Sequence, residues 1–346
     1  MASGARIIGG VFGLGEQLNP AHSAPVFLPE DAVLLANARS GLWLLVQALA
    51  PGQVWLPSFA CQALYEAVDR RAARVRFYPV DARLAIPSLD WLADVRRDDL
   101  VVLIDYFGWP CDPQTVAAIH ERGAWVIEDA CQALLSSQVG RAADFVLYSP
   151  RKFLGVPDGG ILIARRPEML RDTVDLVEPP ADWWQTALAA TRLRREFDRL
   201  GGDRRWFELF QQSEAGAPCA GYAMSKLARE LLARGFDYAA IARRRVANYR
   251  RLAERLGAYA LMPAPAPEVV PLGFPVRLRN RDQVRAALFA QEIYPPVHWP
   301  TAGWVPERFV DSHRLAGEIM TLPCDQRYGV EEMDRIADVV LRSAAQ

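Results

Sequence analysis

The sequence predicts an α/β protein in which a large domain on a mostly parallel sheet is followed by a smaller C-terminal α/β domain. Three observations carry this expectation. From Val54 onward, short apolar runs alternate with amphipathic stretches, the pattern of strands joined by helical crossovers. One of these runs, Leu100–Tyr106 (LVVLIDY), is apolar nearly throughout, as a strand covered on both sheet faces must be. Finally, Pro263, Pro265, Pro267 and Pro271 interrupt the pattern before it resumes in shorter form.

Taken in order, Val54–Leu56 reads as a strand ending at Pro57, and Cys61–Arg71 as the helix after it. Val75–Val80 is a second strand and Leu100–Tyr106 a third. Pro113–Arg122 is a helix leading to the strand Ala124–Glu128. Phe145–Tyr148 and Ile161–Ala164 flank a loop holding Lys152 and pair as neighbours. Residues 165–235 are mostly helical and rich in arginine and tryptophan. The run Arg192 to Arg199 reads as a solvated helix face. Phe236–Leu256 is a long helix with Tyr238, Ile241, Val246, Tyr249 and Leu252 at inward spacing. The prolines then form a linker, and a last helix begins near Val330, after the turn at Tyr328-Gly329. The division is an N-terminal segment (1–29), a large domain (30–235) and a small domain (236–346). The glycines at 9, 10, 13 and 15 follow no strand and lack dinucleotide-loop spacing, so they read as a flexible terminus.

Composition narrows the function classes. The 346 residues suffice for one sizeable domain and a companion. Lysine and arginine total 40 against 41 acidic residues, and this balance argues against a nucleic-acid or membrane-surface protein. No targeting segment is visible, and no apolar run approaches the roughly 20 residues of a spanning helix. Cys61, Cys111, Cys131, Cys219 and Cys324 are scattered without Cys-x-x-Cys spacing, so neither a disulfide framework nor a metal site is expected and a cytoplasmic setting fits. Lysine occurs only at Lys152 and Lys226, leaving 38 arginines. Arginine serves wherever a fixed charge is wanted, whereas only lysine can lose its proton and attack a carbonyl.

Two segments carry chemistry. In Trp125-Val-Ile-Glu-Asp129-Ala-Cys-Gln132 an apolar strand runs into two carboxylates, so Asp129 sits at a carboxyl strand end, where open α/β sheets bind ligands. An aspartate there can also serve as a helix cap. In Tyr148-Ser149-Pro150-Arg151-Lys152 the early lysine lies between a strand and the Gly159-Gly160 pair, which permits tight backbone geometry.

These segments, 23 residues apart, resemble the fold type I pyridoxal-phosphate enzymes, specifically the DegT/StrS-like sugar aminotransferases. Ala38-Arg39-Ser40-Gly41-Leu42, Leu56-Pro57-Ser58-Phe59, Tyr106-Phe107-Gly108 with Asp112, and Tyr294-Pro-Pro-Val-His298-Trp299 agree in order and spacing, so the likeness spans roughly residues 35–340. The resemblance implies a doubly wound large domain, a homodimer with active sites at its interface, and pyridoxal 5′-phosphate as cofactor. It implies that Lys152 holds the cofactor covalently and moves the proton, with Asp129 on the pyridine nitrogen and Gln132 near the ring hydroxyl. It places Ser149, Ser40 and Arg39 at the phosphate, Cys61 against the ring and His298 in the substrate cleft. For Ser40 and Ser149, capping or turn formation is the alternative, and for His298 a buried structural role.

The chain departs from the family pattern at three places. Ser149 lies three residues before the lysine rather than five. Cys61 stands where many relatives have an aromatic. The stretch Ala220-Gly221-Tyr222-Ala223-Met224 lacks the interface asparagine and arginine. The expected reaction is amino transfer from an amino acid, glutamate being the first choice, to a keto group on a nucleotide-linked sugar. A non-sugar ketone as acceptor, or a fold relative that binds without turnover, are the alternative readings.

Overall fold

The computed structural model describes residues 7–15, 25–69, 74–170 and 175–344. The end of the expected helix Cys61–Arg71 and much of the segment 1–29 therefore lie outside the described residues.

The chain opens with β1 (Ile8–Gly9) and β2 (Val33–Leu35), then α1 (Ala38–Leu49). The N-terminus of α1 is set by Asn37, whose side chain accepts the Ser40 amide, the usual N-cap device. β3 (Gln53–Pro57), α2 (Gln62–Asp69), β4 (Arg74–Tyr78), β5 (Leu100–Ile104), α3 (Pro113–Glu121), β6 (Trp125–Asp129), β7 (Phe145–Tyr148) and β8 (Gly160–Ala164) follow. Seven strands form one sheet in the order β2-β8-β7-β6-β5-β3-β4. The run from β7 to β4 is parallel, while β8 returns antiparallel to β7, with Tyr148 opposite Ile161. β5 is buried along its whole length, as its composition requires. The parallel order puts the carboxyl ends of β5, β6 and β7 along one edge, with Asp129 and the Lys152 loop side by side.

Helices α4 (Ala181–Leu200), α5 (Arg205–Ala215) and α6 (Lys226–Arg234) lie between the sheet and the long α7 (Tyr238–Leu256). The smaller unit contains β9 (Phe274–Arg277), α8 (Arg281–Phe289), β10 (Ile293–Tyr294), α9 (Val310–Glu318), β11 (Ile319–Leu322) and α10 (Val330–Ala344). β9 and β11 pair antiparallel, and α7 is tied to α10 by Arg251 on Asp334 and Arg255 on Asp338. The inward face of α7 differs from the apolar spacing. Arg245 and Asn248 are buried in it, while Val246 is only partly covered. Both polar side chains are tolerated there because each finds backbone carbonyls, Arg245 on Pro271 and Leu272 and Asn248 on Cys324, Asp325 and Tyr328.

Two expectations need correction. The glycine cluster is not a flexible terminus in its described part. β1 pairs with β10, Ile8 is fully buried, and the Gly15 amide donates to the Gly155 carbonyl at 2.8 Å. Glycine is required at 155 because a Cβ there would overlap the Gly13 carbonyl. The arginine run on α4 is not wholly solvated either. Arg194 is buried over the Trp206 ring, pairs with Asp198 at 2.8 Å and donates to the Gly9 carbonyl. A long-range partner on the N-terminal strap buried what local patterning assigned to water.

Candidate active site

One cavity of about 710 Å³ opens at the carboxyl edge of the sheet, walled by both units and by the N-terminal strap. Asp129, Ser149, Lys152, Arg39, Cys61 and His298 all line it. Gln132 and Ser40 do not. They are buried behind the wall, where Gln132 Oε1 accepts the Phe107 amide at 2.7 Å and Ser40 Oγ lies 3.2 Å from the cap oxygen of Asn37. Lys226, the only other lysine, is exposed at the start of α6 and does not line the cavity.

Lys152 owes its accessible surface to projecting into this cavity, since protein otherwise encloses it. Burial lowers the amine's pKa, but charge from Cys131, Asp129 and Cys61 outweighs this and leaves it raised. Burial pushes the Cys131 thiol itself well up, toward its neutral form. Asp129 Oδ1 accepts the Cys131 amide at 3.0 Å, and no hydrogen bond of the described residues engages Oδ2. His298 Nδ1 lies 2.8 Å from Thr321 Oγ1, and burial together with Lys152 pulls its pKa down to about 3. It is therefore a neutral imidazole that can donate or accept but does not carry charge.

The walls fit pyridoxal 5′-phosphate. Helical geometry leaves the first amides of α1 without intrahelical acceptors, Asn37 takes only that of Ser40, and Ala38 and Arg39 line the cavity. Such an end suits a phosphate dianion, with the Arg39 and Ser149 side chains at hand. β8 can pass this close because residue 160 is glycine: a Cβ would overlap the backbone of Asn37. An amine and a carboxylate stand on neighbouring strand ends, as an aldehyde and a protonated ring nitrogen require. The position of Cys61 brings no ring into the cavity.

Sequence reasoning missed several lining groups. Glu214 of α5 pairs with Arg151, and its carboxyl is held below the usual range, the Arg151, Arg39 and Lys152 charges overcoming its burial. Asn37 could have been found from an asparagine directly before a helix start. Arg285 and Glu214 left no such local signal.

The sequence matches the DegT/DnrJ/EryC1/StrS aminotransferase family over residues 28–341. It is 35% identical over 156 residues to a dTDP-4-dehydro-2,3,6-trideoxy-D-glucose 4-aminotransferase of Saccharopolyspora spinosa, covering 41% of this chain and 40% of that relative's length. It is 27% identical over 335 residues to a UDP-N-acetyl-3-dehydro-alpha-D-glucosamine 3-aminotransferase of Acidithiobacillus ferrooxidans, covering 89% of this chain and 83% of the relative. Among solved structures, S. venezuelae DesV superposes with a TM-score of 0.68 at 19% identity, over 91% of this chain and 85% of that one.

Proposed function

Since the chain belongs to the DegT/DnrJ/EryC1/StrS aminotransferase family, we propose that this pyridoxal-phosphate-dependent aminotransferase moves an amino group from an amino acid such as glutamate to a keto group on a nucleotide-linked sugar. The observation that carries the reading is the juxtaposition, in one cavity, of the early lysine, a strand-end carboxylate and an uncovered helix N-terminus. The named activities of the two relatives support the acceptor class.

When bound, the cofactor supplies an electron sink for the pair released at the substrate carbon. The protein's residues do the rest. Lys152 would supply the amine that holds the cofactor covalently and, once released from it by the substrate amine, would take up and return the proton at the substrate carbon. Asp129 offers its free carboxylate oxygen to the ring nitrogen and holds the proton there. The amides of Ala38 and Arg39, the Arg39 side chain and Ser149 hold the phosphate, while Asn37 fixes the helix end that presents them. Gln132 and Ser40 act from behind the wall, Gln132 by holding the Phe107 backbone and Ser40 within the Asn37 cap. His298, held by Thr321, gives the acceptor a neutral hydrogen-bonding group.

The purified holoenzyme should lose its visible cofactor absorption when glutamate is added, and regain it with a keto-sugar nucleotide. Lys152→Arg should fold but form no borohydride-stable adduct, because guanidinium cannot supply a neutral amine. Bleaching that is reversed by small keto acids but by no sugar nucleotide would shift the acceptor to a non-sugar ketone. The working unit is proposed to be a homodimer, and sedimentation as a monomer with full activity would remove that part of the reading.

A further inference from the structure

The cavity has a second chemical end. Seven cationic side chains line it against three carboxylates, in a chain whose net charge is only −1. Most of the inner charges are answered. Arg151 pairs with Glu214, Arg327 with Asp325, and Asp129 faces Lys152. Arg39 stands at the end of α1, where the cofactor phosphate is placed. Arg245 donates to Pro271, Leu272 and Gln326 and lies over the Phe153 ring, with its Nη2 buried and without a partner among the described residues.

At the rim the situation differs. Arg285 has no carboxylate partner among the described residues. Its Nε donates to the Pro295 carbonyl at 3.2 Å, and its guanidinium lies 4.4 Å from the Phe289 ring centre. Phe289 packs on Tyr294 at 5.1 Å, and Arg204 lies 5.4 Å from the Tyr294 ring, donates to its hydroxyl at 2.6 Å and also pairs with Glu292, so of the two arginines only Arg285 lacks a carboxylate. Two guanidinium groups thus bracket a pair of rings. Arg204 comes from the loop before α5, and Arg285 from α8 of the small unit. No hydrogen bond or ring contact among the described residues joins these four to Asp129, Ser149 or Lys152. Phe289 is 36% exposed and Phe207, also on the cavity wall, 44%.

We propose that this rim binds the diphosphate of the acceptor, with Arg285 as its main contact and Arg204 as its second, and so decides which substrates enter. The inference rests on the sugar-nucleotide reading above. Guanidinium suits phosphate oxygens through paired N–H donors. Glutamate also carries two carboxylates, but its amino carbon must stand at Lys152, and no hydrogen bond or ring contact among the described residues joins the rim to that lysine. A diphosphate offers two anionic groups in series, and its attached base can stack on the exposed face of Phe289 or Phe207. Because Arg204 and Arg285 belong to different units, a bound diphosphate would also hold the two units together over the cavity.

The test is calorimetric titration of the holoenzyme with UDP and dTDP, and with uridine and thymidine, in wild type, Arg285→Ala and Arg204→Ala. Wild type should bind one of the diphosphates about tenfold or more tighter than its nucleoside, and Arg285→Ala should lose about tenfold or more of that affinity. Cofactor occupancy, read from visible absorption, reports that each variant is folded. Should the alanine variant fail to fold, Arg285→Gln keeps the aliphatic stem and a polar end without the charge and must show the same loss. Diphosphate binding that survives unchanged in the Arg285 and Arg204 variants would overturn the rim assignment and leave the sugar-nucleotide reading standing. A wild-type holoenzyme that binds neither diphosphate would remove that reading and the rim assignment together.

Discussion

Two side chains at the site differ in what a substitution should reveal. Asp129→Asn keeps the size and the Cys131 contact but removes the carboxylate proposed to face the ring nitrogen. A hydrogen bond to a charged group is worth up to about 3 kcal/mol, so the half-reaction with glutamate should slow about a hundredfold while cofactor stays bound. Stopped-flow absorbance measures this, and a near-normal rate would move the role elsewhere. His298 makes a statement about acid stability. Its pKa falls from 6.5 to about 3 on folding, so between these values the unfolded chain binds a proton that the folded chain does not. Stability from this group is thus complete above pH 6.5 and declines as pH falls toward 3, by at most about 1.4 kcal/mol per unit. Denaturant unfolding of the cofactor-free protein from neutral to acid pH should show a shallower decline in His298→Asn than in wild type.

At the scale of elements, the phosphate end of the cavity depends on how closely β8 passes α1. Gly160 pairs with Leu35 on β2, while its missing side chain leaves room for the backbone of Asn37. Gly160→Ala should displace the start of α1 at a cost of roughly 1–3 kcal/mol, and it should weaken cofactor retention along with thermal stability. Equilibrium dialysis of the cofactor and a melting curve read the two effects. Loss of stability with unchanged retention would mean that the amides of Ala38 and Arg39 do not hold the phosphate. Strand boundaries moved only a little between sequence and structure, because apolar runs and prolines mark them locally. Arg245 on α7 was not legible in this way, since its burial depends on the carbonyls of Pro271 and Leu272, which only the folded chain brings to it.

For the whole molecule, the N-terminal strap joins parts that are far apart in sequence. β1 adds to β10 of the small unit, the Gly9 amide donates to Tyr328 Oη at 2.7 Å, and Leu14 and Gly15 bond to Thr191 and Gly155 of the large unit. Phe12 of the same strap lines the cavity with Arg327 4.2 Å from its ring centre. Gly155→Ala should push the strap away at roughly 1–3 kcal/mol, lowering the melting temperature and exposing residues 7–15 to protease. Protection equal to wild type would show that the strap is held from the small unit alone.

The sequence by itself determined the α/β class and the order of the strands around the Lys152 loop, and it singled out Lys152 and Asp129 as candidates for the chemistry. Those conclusions rest on properties a residue carries locally: apolar periodicity, a strand-end carboxylate, and an amine that is rare in a chain otherwise furnished with arginine. Tertiary structure alone decided that Ser40 and Gln132 stand behind the cavity wall, that the glycine-rich start is a packed strap, and that Glu214 faces the lysine loop. It also decided which arginines are neutralised and which, like Arg285, line the cavity with no carboxylate partner among the described residues. A guanidinium looks the same at every position in a sequence, and only its long-range neighbours settle whether a carboxylate, a carbonyl or a ligand answers it.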